Sequence, residues 1–207
     1  MAARKVAEAP PDEKVKARAE AAAHSGPWTH GHATVNGVRL HYAEMGSGPL
    51  VILLHGFPQC WYEWRYVMPR LAEHFRVVAP DMRGYNWSDK PEGVEAYTTE
   101  AVSRDIVALI EELGESRAHV VGHDWGGAIA WHIGARHGEH VNKLAVINAP
   151  HTGALAREWK NNPSEALRSL YILFFQLPLL SEAAMRLGIR RGFGATARVP
   201  GAFPPDA

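Results

Sequence analysis

The sequence predicts an α/β fold in which a mostly parallel sheet is flanked by helices and followed by a purely helical region. Short continuous apolar runs such as Leu50–Leu54 are typical of strands that are covered on both faces. Segments with helical spacing separate these runs, and strands that alternate with helices form parallel sheets. After Pro150 the strand signals end and only helical segments remain.

The chain begins with a predicted tail over residues 1–27. Ala, Lys, Glu and Arg dominate this segment, and it has no apolar stripe that a helix could bury. A hairpin over residues 34–42 follows, because Asn36–Gly37 supplies the positive φ values that a tight turn needs.

The remaining elements are predicted from apolar periodicity and from the residues that end each segment. The helix over residues 98–113 has Thr98 or Thr99 as its N-cap, and Gly114 ends it. The predicted strands cover residues 50–54, 77–79, 119–121 and 144–147, and the other predicted helices cover residues 61–74, 125–137, 153–160, 164–176 and 180–187. We therefore expect a tail over residues 1–27, an α/β core over residues 28–150 and a helical region over residues 151–207.

Composition and charge argue against several classes of function. The 207 residues include 22 Lys and Arg against 22 Asp and Glu, so the formal net charge is zero. The chain therefore has no excess positive charge that would favour binding to nucleic acid or to a membrane surface. The single cysteine, Cys60, cannot form an internal disulfide, and the N-terminus has no apolar signal region, so we expect a cytoplasmic protein. The 12 histidines match no metal-ligand spacing, and no phosphate-binding glycine motif occurs; we expect neither metal nor cofactor.

A strand–turn–helix motif carries the chemistry. The predicted strand over residues 119–121 leads into Gly-His-Asp-Trp-Gly-Gly at residues 122–127 and then into a helix. This is the setting of a nucleophile elbow, with Asp124 as the nucleophile and Gly122 and Gly126 at the positions where the sharp turn leaves no room for a side chain. The alternative is a plain glycine-rich turn with Asp124 as an N-cap.

A second motif follows the strand Leu50–Leu54. Its sequence, His-Gly-Phe-Pro at residues 55–58, stands where a hydrolase of this architecture donates one backbone N–H to an oxyanion hole. We expect Phe57 to supply that N–H and Trp125 to supply the other. His55 is expected to hold the loop by hydrogen bonds and not to transfer protons, because the base comes last in the chain in this layout.

Together these motifs resemble the epoxide hydrolases of the α/β-hydrolase fold. The quoted segments are residues 55–58, 61–65, 81–85, 88–91 and 122–127, and the resemblance runs from about Trp28 to about Phe203. It implies that Asp124 attacks an epoxide carbon to form an alkyl-enzyme ester, which a His–carboxylate pair and water then hydrolyse to a diol. Asn86 departs from the pattern, because the family usually has Gly at that position.

The resemblance also implies a helical cap over residues 151–207 that carries two tyrosines. Tyr171 is similar to the first of them, which binds and helps protonate the epoxide oxygen; the alternative is that Tyr171 packs against apolar neighbours on its own helix. The implied partners are a small apolar epoxide and water, with no nucleic acid and no membrane.

The resemblance further implies elements that this sequence does not contain. The family places an acid and then a histidine after the nucleophile, whereas the last histidine here is His151. We therefore expect a C-terminally truncated chain in which full turnover is doubtful. His151 is expected to be an ordinary loop histidine and not a replacement for the missing base. The strand over residues 144–147 would then be an open sheet edge, which predicts self-association.

Two other functions remain open on the sequence. A haloalkane or haloacid dehalogenase shares the Asp nucleophile. Haloalkane-type members, however, often have Asn where Phe57 stands, and fluoroacetate-type members carry arginines after the nucleophile, where this chain has apolar residues. The second alternative is a catalytically inactive hydrolase-fold fragment, which the missing histidine favours.

Overall fold

The computed structural model describes residues 25–162 and residue 184. Residues Pro27–Arg157 form one compact unit, and this unit contains the whole sheet. The strands are β1 (Thr29–Val35), β2 (Val38–Met45), β3 (Leu50–Leu54), β4 (Arg76–Pro80), β5 (Ala118–His123) and β6 (Val141–Ile147). The helices are α1 (Met68–Leu71), α2 (Thr99–Glu112), α3 (Trp125–Arg136) and α4 (Thr152–Asn161), with 3-10 turns at Trp61–Trp64, Val94–Tyr97 and Gly138–His140.

The sheet has six strands in the order β1-β2-β4-β3-β5-β6. The strands β4, β3, β5 and β6 run parallel, and the hairpin of β1 and β2 joins β4 in the antiparallel direction. The predicted hairpin is confirmed: Asn36 and Gly37 have φ of 50° and 76°, as the tight turn requires. The prediction of a mostly parallel α/β sheet is confirmed as well.

The core lies between the sheet and the two long helices α2 and α3. The helix α2 begins as predicted, because the Thr98 hydroxyl accepts a hydrogen bond from the Ala101 N–H over 3.2 Å. Gly114 follows the helix with φ of 86°. One buried cluster joins side chains of five elements, namely Leu50, Ile52 and Leu54 of β3, Val78 of β4, Val102, Ile106 and Ile110 of α2, Val120 of β5, and Ile129, Ala130 and Ile133 of α3.

The predicted single helix over residues 61–74 is wrong. The segment forms the 3-10 turn Trp61–Trp64 and then, separately, the one-turn helix α1. Pro69 lies in the first turn of α1, where its missing N–H costs nothing, but the same proline cannot continue a helix that arrives from Trp64. The helical spacing of apolar residues in this segment therefore marks buried positions, namely Trp61, Trp64 and Met68. These positions do not belong to one continuous helix.

The outer regions are described only in part. The predicted helix over residues 153–160 is confirmed as α4, whereas the helices predicted over residues 164–176 and 180–187 lie outside the described residues, apart from residue 184. Residues 1–24 of the predicted tail also lie outside, so the three-region division stays a prediction. Within the described part of the chain, every helix is too short or too polar to cross a membrane.

Candidate active site

Strand register brings the two predicted motifs side by side. The strands β3 and β5 are parallel, with Leu54 opposite Gly122, so the loop of residues 55–58 and the turn of residues 122–127 leave the same edge of the sheet. We call the first segment the oxyanion loop and the second the elbow. Ligands of open α/β sheets bind at the carboxyl ends of the strands, which is where both segments lie.

The glycines of the elbow have no room for a side chain. A Cβ atom on Gly122 would overlap the carbonyl oxygen of Gly126, and a Cβ atom on Gly126 would overlap that of Leu54. Gly56 of the oxyanion loop is equally confined, because its Cβ would lie 2.8 Å from that of Asp124. The strand, the turn and the loop therefore pack closely at these glycines, as the spacing of Gly122 and Gly126 predicted.

Asp124 adopts a strained backbone conformation at the tip of the elbow. Its φ and ψ are 52° and −115°, in the region that side chains other than glycine rarely adopt, and strain of this kind is typical of functional positions. Asp124 occupies the N-cap position of α3, but its side chain makes no capping hydrogen bond, so capping does not account for the side chain. The backbone is fixed instead by the N–H of Asp124, which donates to the Ile147 carbonyl over 3.1 Å.

The side chain of Asp124 contacts the oxyanion loop. The backbone N–H of Phe57 donates to Oδ1 of Asp124 over 3.0 Å. Trp125 is the first residue of α3, whose first-turn N–H groups have no partner within the helix and carry the positive end of its dipole. The half-buried carboxylate thus lies beside a backbone donor and the N-terminus of a helix.

His55 holds the oxyanion loop, as predicted. Its Nε2 accepts the N–H of Met82 over 3.2 Å, so the proton must be on Nδ1, which donates to the Gly56 carbonyl over 3.0 Å. Burial lowers the pKa of His55, which keeps the ring neutral. Both ring nitrogens are therefore in use, and the ring forms a fixed part of the loop.

The sequence did not predict the contact between Glu63 and His123 beside Asp124. The carboxylate of Glu63 pairs through Oε1 with Nδ1 of His123 and accepts the N–H of Gly56 at Oε2 over 2.9 Å. His123 precedes the nucleophile, and Glu63 belongs to a separate 3-10 turn, so no periodic pattern connects them. The only sequence signal is that both lie within the motifs that carry the resemblance.

Tyr85 and Asn86 complete the surroundings of the site. The ring of Tyr85 packs edge-on against His55 at 4.6 Å, and burial together with the charge of Asp124 raises the pKa of Tyr85 to about 12. Asn86 has φ of 38°, which explains the usual Gly there, and its side-chain amide donates to Asp81 Oδ2 over 2.9 Å. This amide contact is one that Gly cannot make.

The other candidate residues give a mixed outcome. Tyr171 lies outside the described residues, so its role stays a prediction. Nδ1 of His151 accepts the N–H of Gly153 over 3.2 Å, and the ring packs edge-on against Trp131, which fits a loop position. Burial raises the pKa of the Cys60 thiol to about 12, so it is a poor nucleophile. No cluster of His, Cys, Asp and Glu within the described residues is suited to a metal ion.

Comparison with known families decides where this site belongs. A family model described as alpha/beta hydrolase fold matches residues 49–192, most of the chain and both motifs of the site. The chain belongs to the alpha/beta hydrolase fold family. The predicted fold class and the predicted family are thereby confirmed.

Relatives within this family include epoxide hydrolases. The chain is 43% identical over 162 residues to epoxide hydrolase 3 of Xenopus tropicalis. The matched region covers 76% of this chain and 44% of that protein. It is 46% identical over 154 residues to the AB hydrolase superfamily protein YfhM of Bacillus subtilis. The matched region covers 73% of this chain and 54% of that protein. The chain thus spans about half the length of these curated relatives.

A solved structure shows the same similarity. The epoxide hydrolase of Bacillus megaterium, in complex with an inhibitor, superimposes with a TM-score of 0.74 at 36% identity. The matched region covers 80% of this chain and 61% of that chain. The resemblance to epoxide hydrolases that the motifs indicated is confirmed.

Proposed function

We propose that Asp124 opens epoxides by nucleophilic attack and forms an alkyl-enzyme ester. The observation that carries the proposal is the hydrogen bond from the Phe57 N–H to Oδ1, which leaves Oδ2 without a partner among the described residues. A carboxylate fixed through one oxygen presents the other to an electrophile. The epoxide hydrolases among the relatives indicate which electrophile to test.

In the first step Oδ2 of Asp124 attacks an epoxide carbon, and the bond between that carbon and the epoxide oxygen breaks. The resulting alkoxide must take up a proton. Tyr171 is our candidate for the residue that binds and protonates this oxygen, on the basis of sequence resemblance. Phe57 contacts the Asp124 carboxylate through its backbone N–H, and Trp125 follows Asp124 in the chain. The aromatic side chains of both residues are exposed, which suits an apolar substrate.

In the second step water attacks the ester carbonyl and releases a diol. The negative charge then develops on the oxygen that the Phe57 N–H already contacts, and Trp125 is our candidate for the second donor; one such donor is worth about 2.7–4 kcal/mol. This step needs a base. His55 uses both ring nitrogens, Nδ1 of His123 contacts Glu63, and Nδ1 of His151 accepts the Gly153 N–H. For these 207 residues we therefore propose ester formation without sustained diol release.

The test is incubation of the chain with styrene oxide, followed by intact-mass analysis and peptide mapping. We expect one adduct per chain on Asp124, little diol beyond one equivalent, and no adduct in Asp124→Asn. Steady diol production without an adduct would contradict the missing-base proposal. A parallel incubation with 1-chlorobutane tests the dehalogenase alternative, which predicts release of chloride and the same labelled residue. An unlabelled protein in both incubations would support the inactive alternative.

A further inference from the structure

We propose that Glu63 is a positioning residue that ties the oxyanion loop to the elbow and thereby holds the Phe57 N–H on Asp124. The inference rests on the proposed function, because the reaction it assists is the alkylation of Asp124. Each carboxylate oxygen of Glu63 holds one side of the link: Oε2 accepts the Gly56 N–H over 2.9 Å, and Oε1 pairs with Nδ1 of His123.

The link acts on the two residues that matter for the attack. Gly56 immediately precedes Phe57, so consecutive backbone N–H groups are bound to Glu63 and to Asp124. His123 immediately precedes Asp124 in the same way. One side chain therefore fixes the neighbours of both the oxyanion donor and the nucleophile. Displacement of reacting groups by about 1 Å can cost about 100-fold in rate, so such a link affects the reaction without touching the substrate.

Hydrogen bonds and buried neighbours hold the backbone around Glu63 in place. The Glu63 N–H donates to the Cys60 carbonyl over 3.0 Å within the 3-10 turn, and the neighbouring Trp61 and Trp64 are buried. The Trp61 N–H donates to Oδ1 of the fully buried Asp81 over 3.0 Å. Only 12% of the Glu63 side chain is exposed. The Glu63 carboxylate therefore contacts the two loops from a backbone segment that hydrogen bonds and packing hold in place.

Glu63 interacts electrostatically with the reacting carboxylate. Burial raises the pKa of Glu63, the Gly56 N–H and His123 lower it, and the charge of Asp124 raises it again. A buried carboxylate next to the negatively charged Asp124 is unfavourable unless it is well bound. The two contacts with Gly56 and His123 supply that binding, and they are the contacts that hold the loops together.

The experiment measures how fast styrene oxide alkylates Asp124 in the full 207-residue chain. Intact-mass analysis over a range of concentrations gives a maximal rate and a half-saturation concentration. We expect Glu63→Ala to lower the maximal rate about 10- to 100-fold and to leave half-saturation within about twofold. Glu63→Gln keeps an uncharged acceptor for Gly56 and should lose less. Glu73→Gln removes an exposed carboxylate elsewhere and should match the unmodified chain.

A double-mutant cycle tests whether Glu63 and His123 act as one unit. If they do, the rate losses of Glu63→Ala and His123→Ala are not additive, and the double variant is little slower than the slower single variant. Thermal melting and near-ultraviolet circular dichroism establish that each variant is folded. Glu63→Gln, which conserves shape, provides the comparison if Glu63→Ala unfolds.

The outcomes separate the inference from the proposed function. If the unmodified chain and Glu73→Gln form no adduct on Asp124, both the proposed function and the inference are overturned. If these proteins are alkylated and folded Glu63→Ala or Glu63→Gln reacts at their maximal rate, only the inference is overturned. A change confined to the half-saturation concentration, or additive losses in the cycle, also overturns it, since a positioning link acts on the attack and requires both partners.

Discussion

The backbone N–H of Phe57 lies 3.0 Å from Oδ1 of Asp124, although the two residues are 67 positions apart. The contact depends on the parallel register of β3 and β5, which places Leu54 opposite Gly122. Because the donor is a backbone group, the identity of the side chain at position 57 does not create it. What creates it is the close approach of two loops, and that approach depends on glycine.

The elbow glycines should therefore be intolerant of a methyl group. We expect Gly122→Ala and Gly126→Ala each to lower the free energy of unfolding by about 1–3 kcal/mol, because the added Cβ overlaps a backbone carbonyl that cannot move freely. Urea denaturation measures the change. Gly138→Ala is the control, since a Cβ there meets nothing within 4 Å, and its effect should stay within about 0.5 kcal/mol. Equal effects at all three positions would contradict the steric argument.

Asn86 offers a second test, in which two substitutions are ordered by different causes. Asn86→Ala loses the hydrogen bond to Asp81 and also places Ala at φ of 38°, where the left-handed conformation costs about 1–2 kcal/mol. Asn86→Gly loses the hydrogen bond but relieves the strain. We expect urea denaturation to rank Asn86→Ala as the least stable, Asn86→Gly next and the unmodified chain as the most stable. A variant with Gly that is less stable than the one with Ala would refute this ranking.

Local signals in the sequence were sufficient for most of the scaffold. The Asn36–Gly37 turn, the Thr98 cap and the glycines at positions 122 and 126 each act on residues within a few positions, so their consequences could be predicted without the fold. The apolar run of β3 was predicted with its observed bounds. The alternation of strands and helices then determined the parallel sheet, which brought the two motifs together.

Contacts between distant segments could not be predicted in the same way. The pairing of Glu63 with His123 joins a 3-10 turn to the end of β5, and neither residue has a spacing that indicates the other. The segment of residues 61–74 misled for a related reason, because buried side chains on an irregular segment imitate helical periodicity. Tyr171 rests on the resemblance alone, because it lies outside the described residues.

The strand β6 should promote self-association of these 207 residues. It pairs with β5 along one edge, and within the described residues no strand pairs with its other edge; Ala145 and Ile147 of this strand are also exposed. We expect sedimentation velocity to show association that grows with concentration, and Ala145→Lys to weaken it. Ala135→Lys adds the same charge at an exposed position of α3 and should leave association unchanged. A monomer at every concentration would refute the prediction.

The carboxylate of Glu100 predicts a pH dependence of stability. It accepts hydrogen bonds from His132 Nε2 over 2.8 Å and from Arg104 Nε over 2.6 Å, and these partners lower its pKa from 4.5 to about 2. A carboxyl whose pKa is depressed in the folded state stabilises the fold above its unfolded pKa, and this stabilisation is lost as the pH falls through the folded value. Glu100→Gln should therefore melt below the unmodified chain at about pH 5, with a difference that shrinks on acidification and disappears near pH 2. The Glu100–Arg104 pair is exposed, so added salt should also reduce the difference in melting temperature. Glu111→Gln, on the same helix, controls for the loss of one negative charge. A melting difference for Glu100→Gln that stays constant between these pH values would show that its hydrogen bonds to His132 and Arg104 do not depend on ionisation.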